Sequence, residues 1–345
     1  MAVADIARGS ARIAACLLLG WASWLTVWWR PDLPVPEYGR SVITHPLDFA
    51  PRAVGPFTLT GAWRLGTGRP GFDSLSALTI ENGEFHAIGD RAHWYRFPKP
   101  GDTGPTRSGG VMIAGLSSTP TGDAEAVVSV PETGRTWLAM ENIRAIVRYE
   151  ADGSNRFVRP SLMAGWEVNA GPEAMVRLAD GRFVVLAEGL SEGSAPMHRA
   201  VIFAGDPVDF PDGAPFHFVM PGGVSPVEAA LLPDGRVLIL GRDLRLPFRF
   251  VTTLAIADPA LIRPGQVWRA KEIARLDAPG LADNYEGMAV EPRPEGGITV
   301  WLVSDDNQAR FLQRTLLLRL DGRGGVFKPD DLKLRPAHEN GRPPA

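Results

Sequence analysis

The sequence predicts an all-β chain, a β-propeller of five repeated units. Two observations carry that expectation. From about Phe57 to Leu320 short β-branched and apolar runs alternate with Gly, Asp-Gly and Pro turns, with no long amphipathic helix between them. The same two-strand pattern also recurs five times, its copies about 50 to 60 residues apart, a length that suits a four-stranded blade.

The first unit is Ser74-Leu75-Ser76-Ala77-Leu78-Thr79-Ile80, a turn at Asn82-Gly83, then Phe85 to Asp90. The second runs from Asp123-Ala124-Glu125-Ala126 through Gly134 to Trp137-Leu138-Ala139-Met140-Glu141. The third is Gly171-Pro172-Glu173-Ala174, turning at Asp180-Gly181 into Phe183 to Glu188. The fourth is Pro226-Val227-Glu228-Ala229, turning at Asp234-Gly235 into Val237 to Arg242. The fifth is Asp283-Asn284-Tyr285-Glu286-Gly287, followed by Ile298 to Asn307. A further strand candidate follows each hairpin, such as Ala145 to Tyr149 and Thr315 to Leu320. Phe57 to Trp63 precedes the first unit without a parent and is expected to complete the last blade, closing the ring and removing its exposed edges. Six blades, or a β-sandwich with chance similarity, are the alternatives.

Before the repeats, Ile13 to Trp29 carries no charge and is flanked by Arg8, Arg12 and Arg30. It reads as a membrane anchor or a cleaved export signal, within residues 1–30. At ~1.5 Å rise its length is roughly 25 Å, near the lower limit for a span, and Trp24, Trp28 and Trp29 suit the outer interface. The positive end stays inside, so the rest of the chain is expected in the periplasm, tethered to the inner membrane. Residues 31–55 read as a Pro-rich linker, 56–327 as the propeller and 328–345 as a flexible tail.

Composition narrows the function classes. A formal charge of -3 and no basic patch argue against a nucleic-acid partner. Cys16 is the single cysteine, which excludes internal disulfides and a thiolate metal site. Gly-x-Ser-x-Gly, His-Glu-x-x-His and P-loop motifs are absent from the sequence. The chain is expected to be monomeric.

Hairpin geometry sets the start of each first strand beside the end of its partner. That predicts Glu125 near Glu141, Glu173 near Glu188, Glu228 near Arg242, and Glu286 near Asp305 and Asp306. All would gather at one mouth of the central channel. Carboxylates so close repel one another, and a hard divalent cation such as Ca²⁺ relieves them. The predicted metal ligands are Glu125, Glu173, Glu228, Glu286, Asp305 and Asp306, with neutral oxygens from Asn284 and Asn307. Arg91 and Arg242, read as equivalent, would be free to hold an anionic group. His93 is placed to move a proton. His86, Trp137 and Trp301 read as packing, and His198 as a loop residue near Glu188. Alternatively, the acids merely cap turns or pair between blades.

Gly89-Asp90-Arg91-Ala92-His93-Trp94, Asn284 to Val290, Ser304-Asp305-Asp306-Asn307 and Gln313 to Leu317 resemble the bacterial phytase-like domain, the esterase-like activity of phytase family. The resemblance spans about Gly55 to Leu320. It implies an exported β-propeller that hydrolyses esters or phosphoesters. The better understood β-propeller phytases, more distantly similar, are six-bladed and use acidic residues around Ca²⁺ to bind phosphate; this sequence has five units and no dense Lys/Arg tray. The expectation is a metal-dependent hydrolase of a small anionic ester or phosphoester. A non-catalytic periplasmic propeller that binds a ligand or protein is the other reading.

Overall fold

The computed structural model describes residues 12–21, 41–68, 72, 74–91, 93–114, 123–191, 196–245, 249–277, 281–307 and 313–323. Residues 12–21 are helical, and among the described residues no helix is long and apolar enough to cross a membrane. The rest of the expected span to Trp29, and the tail from Lys328, lie outside the described residues.

The remainder is a five-bladed β-propeller of 23 strands. Three strands come first: β1 (Ile43–Pro46), β2 (Arg52–Val54) and β3 (Phe57–Gly66). Blade 1 is β4 (Leu75–Glu81), β5 (Glu84–Gly89), β6 (His93–Phe97) and β7 (Arg107–Gly110). Blade 2 is β8 (Ala124–Val130), β9 (Arg135–Met140), β10 (Ala145–Tyr149) and β11 (Asn155–Val158). Blade 3 is β12 (Pro172–Arg177), β13 (Phe183–Leu190), β14 (His198–Phe203) and β15 (Gly213–Val219). Blade 4 has β16 (Ser225–Leu231), β17 (Val237–Arg245) and β18 (Arg249–Ala257). The chain then sends β19 (Val267–Arg269) to pair in parallel with β15, and returns as β20 (Lys271–Leu276) to finish blade 4. Blade 5 is β21 (Asn284–Pro292), β22 (Gly297–Asp305) and β23 (Leu316–Arg323).

Antiparallel pairing of β23 with β3 completes blade 5 and closes the ring, as the parentless N-terminal strand predicts. Part of the expected linker, residues 31–55, is strand, and its residues 31–40 lie outside the described residues. Its last part forms β1 and β2, both of which pair with β3. Proline-rich composition hid these short strands, which are stabilised by their neighbour and not by a period of their own.

The hairpins follow their turn chemistry. Asn82 and Gly83 both have positive φ (51° and 83°), the backbone that a two-residue hairpin turn requires. At Asp234-Gly235 the Asp234 carboxylate accepts from the Arg236 backbone N–H (3.0 Å) and pairs with its guanidinium.

Side chains alternate across each blade, so both faces of every sheet bury apolar residues against a neighbour. The buried apolar residues accordingly form five clusters, one at each inter-blade interface. Aromatic pairs fill several of them: Phe85 meets Trp301 edge-on at 5.0 Å, and Trp137 meets Phe183 at 5.2 Å. Trp137 and Trp301 are packing residues, as expected. The first strands of the blades (β4, β8, β12, β16 and β21) lie side by side around the axis. They come very close at Gly287, where a Cβ would stand 3.0 Å from the backbone of Ala77 and Leu78 in blade 1.

Candidate metal centre at the channel mouth

Every blade carries a β-bulge at the start of its first strand, and the bulge aims the site. In blade 1 the pairing steps from Leu75↔Gly89 to Ala77↔Ile88, leaving Ser76 without a partner. The same step leaves out Glu125 in blade 2, Glu173 in blade 3, Val227 in blade 4 and Glu286 in blade 5. A bulge sets two residues against one and re-aims a side chain that regular pleating would turn into a blade face. Ser76 uses the position to donate a hydrogen bond to the Ala124 carbonyl of blade 2 (2.8 Å). The three glutamates bring carboxylates to it.

A second ring comes from the ends of the second strands. Asp90, Glu141 and Glu188 each donate a backbone N–H to Ser74, Asp123 and Gly171, at 3.1, 2.7 and 3.1 Å. Arg242 and Asp305 occupy the same level opposite Ser225 and Asn284. Glu125, Glu141, Glu173, Glu188, Glu286 and Asp305 thus come together as the hairpin argument predicts, and Asp90 and Asp123 join them.

Two expected equivalences are corrected by this register. Glu228 is not the fourth member of the glutamate ring. Val227 holds the bulge, and Glu228 aligns with Ala77, Ala126, Ala174 and Gly287. Its side chain is buried: Oε1 accepts from the Ala229 N–H (2.9 Å), while Oε2 has no partner among the described residues. Burial alone pushes its carboxyl well above the usual range, and no acid of the ring contributes. Arg242, likewise, aligns with Asp90 and not with Arg91. It is also not free, because its guanidinium lies 3.1 Å from Glu286 and 3.5 Å from Glu188. Blade 4 therefore replaces two acids by an apolar residue and a cation.

The electrostatics follow from crowding in a buried mouth. Burial, then Glu173, Glu286 and Asp123, push Glu125 well above the usual carboxylate range. Glu173 is raised as strongly, by burial and by Glu188, Glu141 and Glu286. Glu141 is raised by burial and Asp123, against hydrogen bonds from Glu173 and the Gly171 N–H (2.9 Å). Glu286 is raised by burial, which outweighs Arg242 and a hydrogen bond from Asn284 Nδ2 (2.8 Å). Asp305 reaches about 9, through burial and Glu286, although the Asn307 N–H at 2.7 Å opposes this. Such a set needs either protons or cations to stay together.

Asp123, Glu125 and Glu141 each offer a carboxylate oxygen within 4.8 Å of the others, so the three could hold a metal ion. These are hard oxygen donors of the kind that suits Ca²⁺. An orphaned oxygen stands in the same region: Asn284 Oδ1 is buried and has no partner among the described residues. Of this trio only Glu125 is among the ligands predicted above. Asp123 precedes β8, and its signal was the Asp-x-Glu spacing, which in an extended chain sets both side chains on one side.

The other predicted residues sit at the margin. Asp306 is buried beside Asp305 but turns to Thr315, whose hydroxyl lies at 3.2 Å. Asn307 contributes its backbone N–H to Asp305. Arg91 is exposed on the turn after Asp90, and His93 opens β6 opposite Gly89, its Nδ1 buried and without a partner among the described residues. His198 is not in a loop: it begins β14, buried, with Nδ1 2.8 Å from the Glu188 carbonyl. Burial lowers its pKa, so it is a neutral support for the strand that carries Glu188. His86 bonds to Glu81 at 2.8 Å, far from the mouth.

A family model described as phytase-like, esterase-like activity of phytase, matches residues 70–308. No curated protein matches the sequence. Among solved structures, the chain is similar to the glutaminyl cyclase of Myxococcus xanthus, at 12% identity and a TM-score of 0.45 over 81% of this chain and 98% of that one. It is also similar to the virginiamycin B lyase of Staphylococcus aureus, at 12% identity and a TM-score of 0.39 over 81% and 99% of the two chains.

Proposed function

The chain belongs to the phytase-like family described as esterase-like activity of phytase, and on that premise we propose a metal-dependent hydrolase of small anionic esters or phosphoesters. The observation that carries the proposal is the convergence of Asp123, Glu125 and Glu141 within 4.8 Å, among further carboxyls held above their usual range. A bound divalent cation, Ca²⁺ being the best match to an all-oxygen set, supplies polarisation of a carbonyl or phosphoryl oxygen and a lowered pKa of bound water.

The protein's own groups divide the remaining work. Glu173, Glu188, Glu286 and Asp305 surround the trio and complete the negative field that attracts the cation. Arg242 neutralises Glu188 and Glu286, so a substrate anion meets it only by exchanging with those carboxylates. Arg91, exposed at the rim, is the guanidinium better placed to receive that anion, and His93 beside it moves the proton. We place the domain in the periplasm, tethered by the N-terminal segment whose residues 12–21 are helical. Protease accessibility in intact spheroplasts tests that placement.

The internal pairing of Arg242, which leaves it no free charge for a substrate anion, also favours a second reading, a propeller that binds a ligand or protein partner without turnover. One set of experiments separates the two. Ca²⁺ at a hundredfold over its Kd should stabilise the protein by about 2.7 kcal/mol. Glu125→Gln and Glu141→Gln should abolish that increment. Affinity should rise with pH, because the raised carboxyls must lose protons to bind the ion. A melting curve indifferent to Ca²⁺ and EDTA removes the metal centre. A saturable shift without turnover of p-nitrophenyl phosphate or acetate, under any divalent metal, leaves the binding reading.

A further inference from the structure

Among the described residues the interface between blades 1 and 2 has the smallest of the five apolar clusters, and it holds a cavity of about 400 Å³. The cavity lies toward the face opposite the acidic mouth. Glu81 at its wall ends β4, five residues beyond Ser76 and hence about 17 Å along the strand. Elsewhere aromatic side chains fill the space between blades. Here Trp94 and Tyr149 remain only partly buried and line the gap together with Ile88, Val111 and Leu138. A mostly apolar hollow of this size with few polar groups is the usual form of a small-molecule site.

The hydrogen-bonding left over in the cavity is one-sided. Glu81 is fully engaged: His86 Nδ1 at 2.8 Å, Thr136 Oγ1 at 3.4 Å and the Ser129 hydroxyl reach Oε1, and Arg96 Nη2 pairs with Oε2 at 2.5 Å. Burial pushes its carboxyl up, but His86, Ser129 and Arg96 outweigh this and hold it down to about 2, so it stays charged without help. Glu150 pairs with Arg135 at 2.8 Å and Arg148 at 2.7 Å. The Tyr149 hydroxyl donates to the Met112 carbonyl (2.8 Å). Both carboxylates of the cleft are therefore paired, whereas guanidinium donors remain. Arg96 Nε is buried with no partner among the described residues, its guanidinium carbon 5.9 Å over the Trp94 ring, and Arg135 binds Glu150 through one edge only. A ligand for this cleft must bring acceptors to two guanidinium groups and an apolar body to the walls.

We propose that the cleft between blades 1 and 2 binds a small amphipathic carboxylate. Its apolar body lies against Ile88, Leu138 and Tyr149, and its carboxylate is taken by Arg96 and Arg135. This site is independent of the acidic mouth and of the activity proposed there.

Octanoate is the probe, titrated calorimetrically against the full chain in EDTA. One molecule per chain is expected, with octanol and octylamine at least tenfold weaker. Arg96→Gln and Arg135→Gln should each weaken octanoate about tenfold or more. Ala151→Trp, a bulky change at the exposed rim, should abolish binding with the melt unchanged, which keeps the test valid if Arg96→Gln disturbs Glu81. Glu125→Gln at the mouth should bind octanoate as the parent does. Octylamine or octanol as tight as octanoate, retained binding in Ala151→Trp, loss in Glu125→Gln, or no binding of octanoate at millimolar concentration overturns the proposal.

Discussion

Glu228 and Arg242 show how single residues set the electrostatic balance of this molecule. Glu228 is buried with one oxygen unpartnered, at a position where the other blades carry alanine or glycine. Its folded pKa lies above its unfolded value near 4.3, so the neutral form is the one that fits. Stability from this group is complete below the unfolded pKa. It is lost as pH rises, by about 1.4 kcal/mol per unit until the folded pKa is reached. Glu228→Gln removes that dependence while keeping the acceptor for Ala229. Its melting temperature relative to the parent should therefore climb between pH 4.5 and pH 8; a gap that stays constant contradicts the assignment. Arg242 is the opposite case, a cation among acids. In EDTA, Arg242→Gln should cost about 2 kcal/mol by urea unfolding, less than for a fully buried pair because the group is partly accessible. Its Ca²⁺ increment should exceed that of the parent, since the variant leaves Glu188 and Glu286 without their counter-ion.

At the scale of the element, the bulge at each first strand is what makes a site from a repeat. Without the extra residue, Glu125, Glu173 and Glu286 would face into a blade interface, where a lone carboxylate is costly. The glutamates themselves were legible in the sequence, because the repetition marks them. Their exact register was not. Glu228 reads as their equal in a linear alignment of Pro226-Val227-Glu228 with Gly171-Pro172-Glu173, since both glutamates directly precede an alanine. Only the pairing partners, Gly241 for Pro226 and Ala187 for Pro172, show the one-residue offset. A slip of one residue in a strand transfers a side chain to the other face. Gly287 marks the other constraint on these strands. Gly287→Ala adds a Cβ 3.0 Å from backbone atoms of blade 1 and 2.6 Å from Val303 Cγ1, so it should destabilise by about 1–3 kcal/mol in chemical denaturation. A neutral result would mean that β21 and β4 separate at no cost.

For the whole molecule, closure by β3 is the decisive contact. Blade 5 obtains its fourth strand from the opposite end of the described chain, so the ring is held by pairing across a very long sequence separation. Such closure abolishes the two edges that an open ring would expose. Removal of residues before Phe57 takes away β1 and β2 but leaves the closing strand. Removal through Gly66 also deletes Phe57, Leu59 and Ala62 from the core between blades 4 and 5. The shorter truncation should retain a single cooperative melt, and the longer one should lose it and aggregate. If both melt alike, closure contributes nothing.

The sequence by itself determined the all-β class, five units, the parentless closing strand and the gathering of acids at one mouth. Periodicity, turn residues and repetition are local signals, and each survives without knowledge of neighbours. Only the tertiary structure decided that Asp123 joins Glu125 and Glu141, that Arg242 is spent on Glu188 and Glu286, and that Glu228 stands outside the ring. It alone disclosed the cleft between blades 1 and 2. These depend on strand register and on how two sheets fail to fill the space between them, and those quantities arise only when separate segments meet.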